Sequence, residues 1–137
     1  MTNLKTRELL STLWIVLTVN YIFCDVFSLY LSETLEKLMA GGMGGIKFTQ
    51  EFLLVFSIIM EMPMLMIILS KVLDRKINKW LNLIVGLLLL IVQVGSILTD
   101  ENYLHYLFFS VVEISILLII LVISFKWKGT VIPSDRN

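Results

Sequence analysis

The sequence predicts an all-α integral membrane protein, a four-helix bundle made of two antiparallel hairpins with both termini in the cytoplasm. Three observations lead there. More than half of the 137 residues are apolar, and they gather into four long runs. Each run approaches the roughly 20 apolar residues that a helix needs to cross a bilayer. Lysine and arginine cluster where the chain would emerge on one side of the membrane only.

The helices are expected at about 9–31, 50–71, 80–99 and 103–126, with a long outer loop at 32–49, all within a single membrane domain of residues 1–137. The first run is too long and too spotted with polar residues for a signal peptide, and no small-x-small cleavage site follows it, so it is expected to be retained. Cys24 lies within it as the single cysteine of the chain, which excludes an intrachain disulfide and Cys-x-x-Cys redox chemistry. The formal net charge is zero, but its distribution is uneven. Lys5 and Arg7, then Lys71, Arg75, Lys76 and Lys79, then Lys126 and Lys128 fall on one side if the chain crosses four times. The other side holds Glu33, Glu36, Lys37 and Lys47, then Asp100, Glu101 and His105. The positive-inside rule places the basic groups in the cytoplasm.

Between the first two helices, Ser32 is a plausible helix cap for a short helix over Glu33–Ala40. Gly41-Gly42-Met43-Gly44-Gly45 would end that helix, because glycine accepts the left-handed conformation. This loop reads either as a flexible connector or as a lid over the outer mouth of the bundle. A tight outer turn is expected at 100–103. No nucleic-acid patch or phosphate-cradling glycine loop occurs, so nucleic acid is not an expected partner.

Three carboxylic acids, Asp25, Glu61 and Glu113, interrupt the apolar runs, and no lysine or arginine lies among them. An acid within a membrane helix costs on the order of 2.5–3.5 kcal/mol on insertion scales, and such groups mark functional sites by default. Helical periodicity arranges the other polar residues into stripes. The first helix carries Ser11, Trp14, Thr18, Tyr21, Asp25 and Ser28, and the second Ser57 and Glu61. Asn82, Gly86, Gln93 and Ser96 form the third stripe; Tyr103, Tyr106, Ser110 and Glu113 form the fourth. These faces are expected to meet inside the bundle, where small residues allow close approach. With about 1.5 Å of rise per residue, Asp25 and Gln93 lie roughly 9 Å below the outer helix ends. Trp14, Trp80 and Trp127 are expected in the aromatic belt at the cytoplasmic interface.

Pro63 should bend the second helix beside Glu61. Met60, Met62, Met64 and Met66 surround it; they read as gap-fillers rather than a copper(I) site, since alternate helical positions point apart. No metal or cofactor is expected, and His105, the single histidine, is expected at the outer rim with its ring capped by solvent. Phe56-Ser57 before Glu61 echoes Phe109-Ser110 before Glu113, which would suit a parallel repeat of two hairpins.

The segments Leu13-Trp14, Asn20-Tyr21-x-x-Cys24-Asp25, Thr49-Gln50-x-Phe52, Glu61-x-Pro63-x-x-Met66, Leu69-Ser70-x-Val72-Leu73, Asn78-x-Trp80-x-Asn82 and Ser110-Val111-x-Glu113-Ile114 together resemble a family of small bacterial four-helix membrane proteins of unassigned function. The resemblance implies a bacterial cytoplasmic membrane and no particular activity. A weaker similarity, in architecture alone, is to the four-helix proteins that include the sterol isomerase and the sigma-2 receptor. It implies a site in which Asp25 and Glu61 hold a cationic amphiphile.

The expected function is an acid-lined intramembrane pocket that binds a hydrophobic or cationic-amphipathic small molecule or lipid. Asp25, Glu61 and Glu113 would contact the ligand, and Tyr21, Gln93 and Tyr106 would orient it. Catalysis through a protonated Glu61 or Glu113 stays open, with no catalytic residue assigned. A proton-coupled exporter is the alternative, and it requires a homodimer for alternating access. An accessory subunit of a larger membrane complex is the third reading.

Overall fold

The computed structural model describes residues 3–43, 45–99 and 103–127. Its elements are α1 (Asn3–Ser28), α2 (Ser32–Met39), β1 (Gly42–Met43), β2 (Ile46–Lys47), α3 (Gln50–Val72), α4 (Arg75–Thr99) and α5 (Leu104–Lys126). Four of them, α1, α3, α4 and α5, are long and apolar enough to cross a membrane. The outer turn expected at 100–103 falls, at 100–102, outside the described residues.

Two helices begin earlier than their apolar runs. Hydropathy marks where a helix enters hydrocarbon, whereas backbone hydrogen bonding continues into the polar interface. Thus α1 starts at Asn3 rather than near residue 9, and α4 at Arg75 rather than near residue 80. Only Leu73 and Asp74 then separate α3 from α4.

The outer loop is structured. Ser32 is the first residue of α2 and not its cap; Leu31 occupies that position and makes no side-chain capping bond. Gly41 (φ +86°) takes the left-handed conformation that ends α2, as the glycine run suggested. The chain returns as a two-stranded antiparallel ribbon, Gly42 opposite Lys47 and Met43 opposite Ile46. Strands of two residues carry no periodic signal, so this ribbon was not foreseen. Thr49 then caps α3, its hydroxyl accepting from the Phe52 amide at 3.2 Å.

Helix α1 packs on α3 and α5, and α4 packs on α5 and α3, so the bundle reads α1–α3–α4–α5 around its axis. Trp127 donates its indole N–H to Asn3 Oδ1 at 3.0 Å, which sets the start of α1 beside the end of α5. In the half nearest those ends the centre is filled by Leu10, Trp14, Leu17, Met66, Leu89, Leu117 and Ile120. A buried polar seam joins three helices there. Trp14 Nε1 donates to Asn82 Oδ1, Asn82 Nδ2 to Asn78 Oδ1, and Asn78 Nδ2 to the Ser70 carbonyl, each at 2.6 Å. The opposite half is not filled by side chains.

Candidate functional site

A cavity of about 410 Å³ occupies that half. It lies within the size range of small-molecule sites. Helix α1 contributes Tyr21, Cys24, Asp25 and Ser28 to its wall, α4 contributes Val92, Gln93 and Ser96, and α5 contributes Tyr103, Tyr106 and Glu113. From α3 come Phe52, Leu53, Phe56 and Met60, all apolar. The roof is the outer loop itself, through Thr34 and Leu38 of α2 with Ile46 and Phe48 beyond it.

The wall is therefore two-sided, aromatic and aliphatic on α3 and mostly polar on α1, α4 and α5. Much of the polar side is already satisfied internally. Gln93 Nε2 donates to Ser110 Oγ at 3.0 Å, Ser96 shares a hydrogen bond with Tyr106, and Ser28 Oγ lies 3.2 Å from His105 Nε2. His105 thus has a protein partner, and its ring stacks on Tyr103, rather than being capped by solvent alone.

Two atoms are left over. Glu113 is 1% exposed and Thr34 2%, and among the described residues neither Glu113 Oε1 nor Thr34 Oγ1 has a hydrogen-bond partner. Buried polar atoms are paired in the great majority of cases, so an orphan calls for an explanation. Here the residues that carry them, Thr34 and Glu113, both line one cavity. Asp25 lines it too. Among the described residues, no lysine or arginine belongs to the lining.

Of the six residues singled out in the sequence, five line this cavity: Asp25, Glu113, Tyr21, Gln93 and Tyr106. Glu61 does not. It is exposed on the outer face of α3. Pro63, two residues on and about 200° around the helix, is fully buried, which turns Glu61 away from the bundle. The parallel-repeat echo fails at the same place, because Glu113 is buried and Glu61 is not.

Thr34 is the polar lining residue that the sequence did not single out. Its signal is weak: a threonine one turn before Leu38 on a short amphipathic helix. The tryptophans also depart from expectation. Trp14 is fully buried and hydrogen-bonded, Trp127 is nearly so, and Trp80 alone is exposed as a belt residue would be. The methionines divide, with Met66 in the core, Met60 in the cavity wall and Met64 exposed. Among the described residues, no group of three or more His, Cys, Asp or Glu side chains is placed to hold a metal ion.

The site thus belongs to a helical protein with four potential membrane spans and an acid-bearing cavity among them. A family described as of unknown function (DUF6326) matches residues 2–134, and the chain belongs to that family. No curated protein and no solved structure matches it.

Proposed function

We propose that this protein is a multi-pass membrane binder whose cavity holds a hydrophobic or cationic-amphipathic small molecule or lipid. The observation that carries the reading is an unpartnered oxygen on Glu113, in the wall of a cavity that no described lysine or arginine lines. An ammonium or other N–H donor from a ligand would satisfy it, and a charge-assisted hydrogen bond is about twice as strong as a neutral one. The aromatic side chains of Tyr21, Phe52, Phe56 and Tyr106 suit the same ligand, since ring faces attract cations.

The bundle is read as two antiparallel hairpins, α1 with α3 and α4 with α5, in a bacterial cytoplasmic membrane. The clustering of Lys5, Arg7, Lys71, Arg75, Lys76, Lys79 and Lys126 at the filled end supports cytoplasmic termini, with the roofed cavity toward the outside. The bacterial location rests on the resemblance of the sequence motifs.

Native mass spectrometry of protein extracted gently from its own membrane tests the reading. A bound amine or lipid retained by the parent and lost in Glu113→Gln is the expected result. Equal retention in the two proteins would remove Glu113 from the site.

A second reading is favoured by one observation, the exposure of Glu61 at mid-helix. An acid facing hydrocarbon is costly, and a second copy could cover it. A dimeric proton-coupled exporter would use it so. Efflux driven by a pH gradient in proteoliposomes, abolished by Glu61→Gln, would establish that reading over the binder.

A further inference from the structure

The cavity has an open side. Ser11, near the start of α1, donates to the Ile67 carbonyl of α3 at 2.8 Å, which marks the line along which these two helices touch. Leu29, the residue that follows α1, still donates its N–H to the Asp25 carbonyl and so lies about five turns beyond Ser11 on the same face. On α3, Phe56 and Leu53 lie within roughly 40° of the Ile67 direction, toward the other end. If the seam stayed closed over its length, these residues would be buried in it. Instead Leu29 is 50% exposed, Leu53 50% and Phe56 39%, and Asp25, one turn before Leu29, is exposed as well. All four also line the cavity. A residue that borders both the cavity and the surface marks a mouth. On the other side Gln93 and Glu113 are shielded, so the mouth is not there.

We infer that the cavity opens sideways, between the roofed halves of α1 and α3, and is loaded from the bilayer by a single-tailed alkylammonium amphiphile. The head lies against Glu113 and Thr34, two lining residues that each carry a buried oxygen without a partner among the described residues. The tail runs along the apolar α3 wall and leaves past Leu29 and Leu53 into lipid. Asp25 stands at the mouth, where a carboxylate draws a cationic head in from the interface. Above the mouth, α2 and the ribbon close the direct path from water, with Thr34 and Leu38 facing inward. This inference rests on the binding reading above and adds the ligand's shape and its route.

The test reconstitutes the parent, the double variant Leu29→Trp/Leu53→Trp and Glu113→Gln in lipid nanodiscs. Dodecylammonium and methylammonium are the probes, and occupancy is followed over time by native mass spectrometry. The parent should retain dodecylammonium at least tenfold better than methylammonium. The double variant, whose bulk fills the mouth without touching Glu113, should load at least tenfold more slowly. Glu113→Gln should instead lower the final occupancy. Leu29→Ala/Leu53→Ala widens the mouth and should load faster than the parent, which keeps the test decisive if the tryptophan variant folds poorly. Parent-like loading in both double variants, or equal retention of methylammonium, would overturn the lateral route while leaving the binding site intact. Retention of neither amine by the parent would overturn both.

Discussion

The indole of Trp14 on α1 reaches across the bundle to Asn82 on α4, donating to its Oδ1 at 2.6 Å, and both side chains are fully buried. These helices are diagonal partners, not neighbours in the ring. Asn82 continues to Asn78 Oδ1 at 2.6 Å and to Ser70 Oγ at 3.5 Å, so one amide ties α1, α3 and α4 together. The closed half of the bundle is thereby pinned by directional bonds. The other half can then hold a cavity without the helices collapsing into it.

Trp14→Phe should destabilise the protein by about 1–3 kcal/mol, because the Asn82 acceptor stays buried without its donor. Asn82→Leu should cost at least as much, since it also strands the indole N–H and Asn78 Oδ1. The double variant should cost less than the sum, a coupling of roughly 0.5–3 kcal/mol for groups in one network. Thermal unfolding in a fixed detergent measures all three. Simple additivity would show that the bond contributes nothing.

The roof should loosen in acid. The Tyr103 hydroxyl and then Lys37, whose Nζ lies 3.2 Å from Glu33 Oε1, hold the Glu33 carboxyl below its ordinary range. A depressed folded-state pKa stabilises above the unfolded value, and the contribution disappears as pH falls through the folded value. Protection of the α2 amides against hydrogen exchange, corrected for intrinsic rate, should therefore fall as pH drops through the carboxylate range. Glu33→Gln should start lower at neutral pH and show no further fall. A parent profile that matches the variant would mean that Glu33 does not anchor the roof.

The stripes on α1, α4 and α5 were legible because in each one the polar residues repeat at 3.6-residue spacing and some of them have partners on another helix. Gln93 with Ser110, and Ser96 with Tyr106, are such pairs. On α3 the same reasoning failed. Ser57 donates to the Leu53 carbonyl of its own helix at 2.7 Å, so its hydroxyl needs no inward face. The inward face is instead Phe52, Phe56, Met60, Pro63, Met66 and Ser70, apolar for most of its length. Hydrophobic residues on a membrane helix do not say whether they face lipid or protein, and there the pattern lost its power. The roof was half legible: its glycines announced the turn, but the burial of Thr34 depends on packing that a short loop does not encode.

Thr34→Val separates a structural roof from a binding one. Valine keeps the shape and removes an oxygen that is buried without a partner, so the unliganded protein should gain about 1 kcal/mol or more. Alkylammonium affinity should drop by about fivefold, the worth of one hydrogen bond of about 1 kcal/mol. Unchanged affinity with raised stability would make the hydroxyl a packing fault and no part of the site.

Gly86 sits where α4 meets α5, and a Cβ there would lie 3.2 Å from Leu121 Cδ2. The obstacle is the far end of a flexible side chain. Gly86→Ala should thus be nearly neutral, with about 1 kcal/mol of helix propensity offsetting a small shift of Leu121. Gly86→Leu should lose about 1–3 kcal/mol by overpacking. Melting temperatures of the two variants check the contrast, and an alanine variant as unstable as the leucine one would mean that α4 and α5 cannot move apart at all.

Glu61 offers the cleanest division between the binder and the exporter. It is exposed at mid-helix on α3 and takes no part in the cavity lining. In a monomeric binder it faces lipid, where an acid costs on the order of 2.5–3.5 kcal/mol relative to an apolar residue on insertion scales. Glu61→Leu should then raise the yield of folded protein and its melting temperature, while dodecylammonium occupancy stays within twofold of the parent. In a dimeric exporter the same change would strip a carboxyl from the interface and weaken self-association. Sedimentation of parent and variant in one detergent, read beside amine occupancy, distinguishes the two. We expect the stabilised, still-binding variant, and a variant that binds no amine would return Glu61 to the site from which the fold has turned it away.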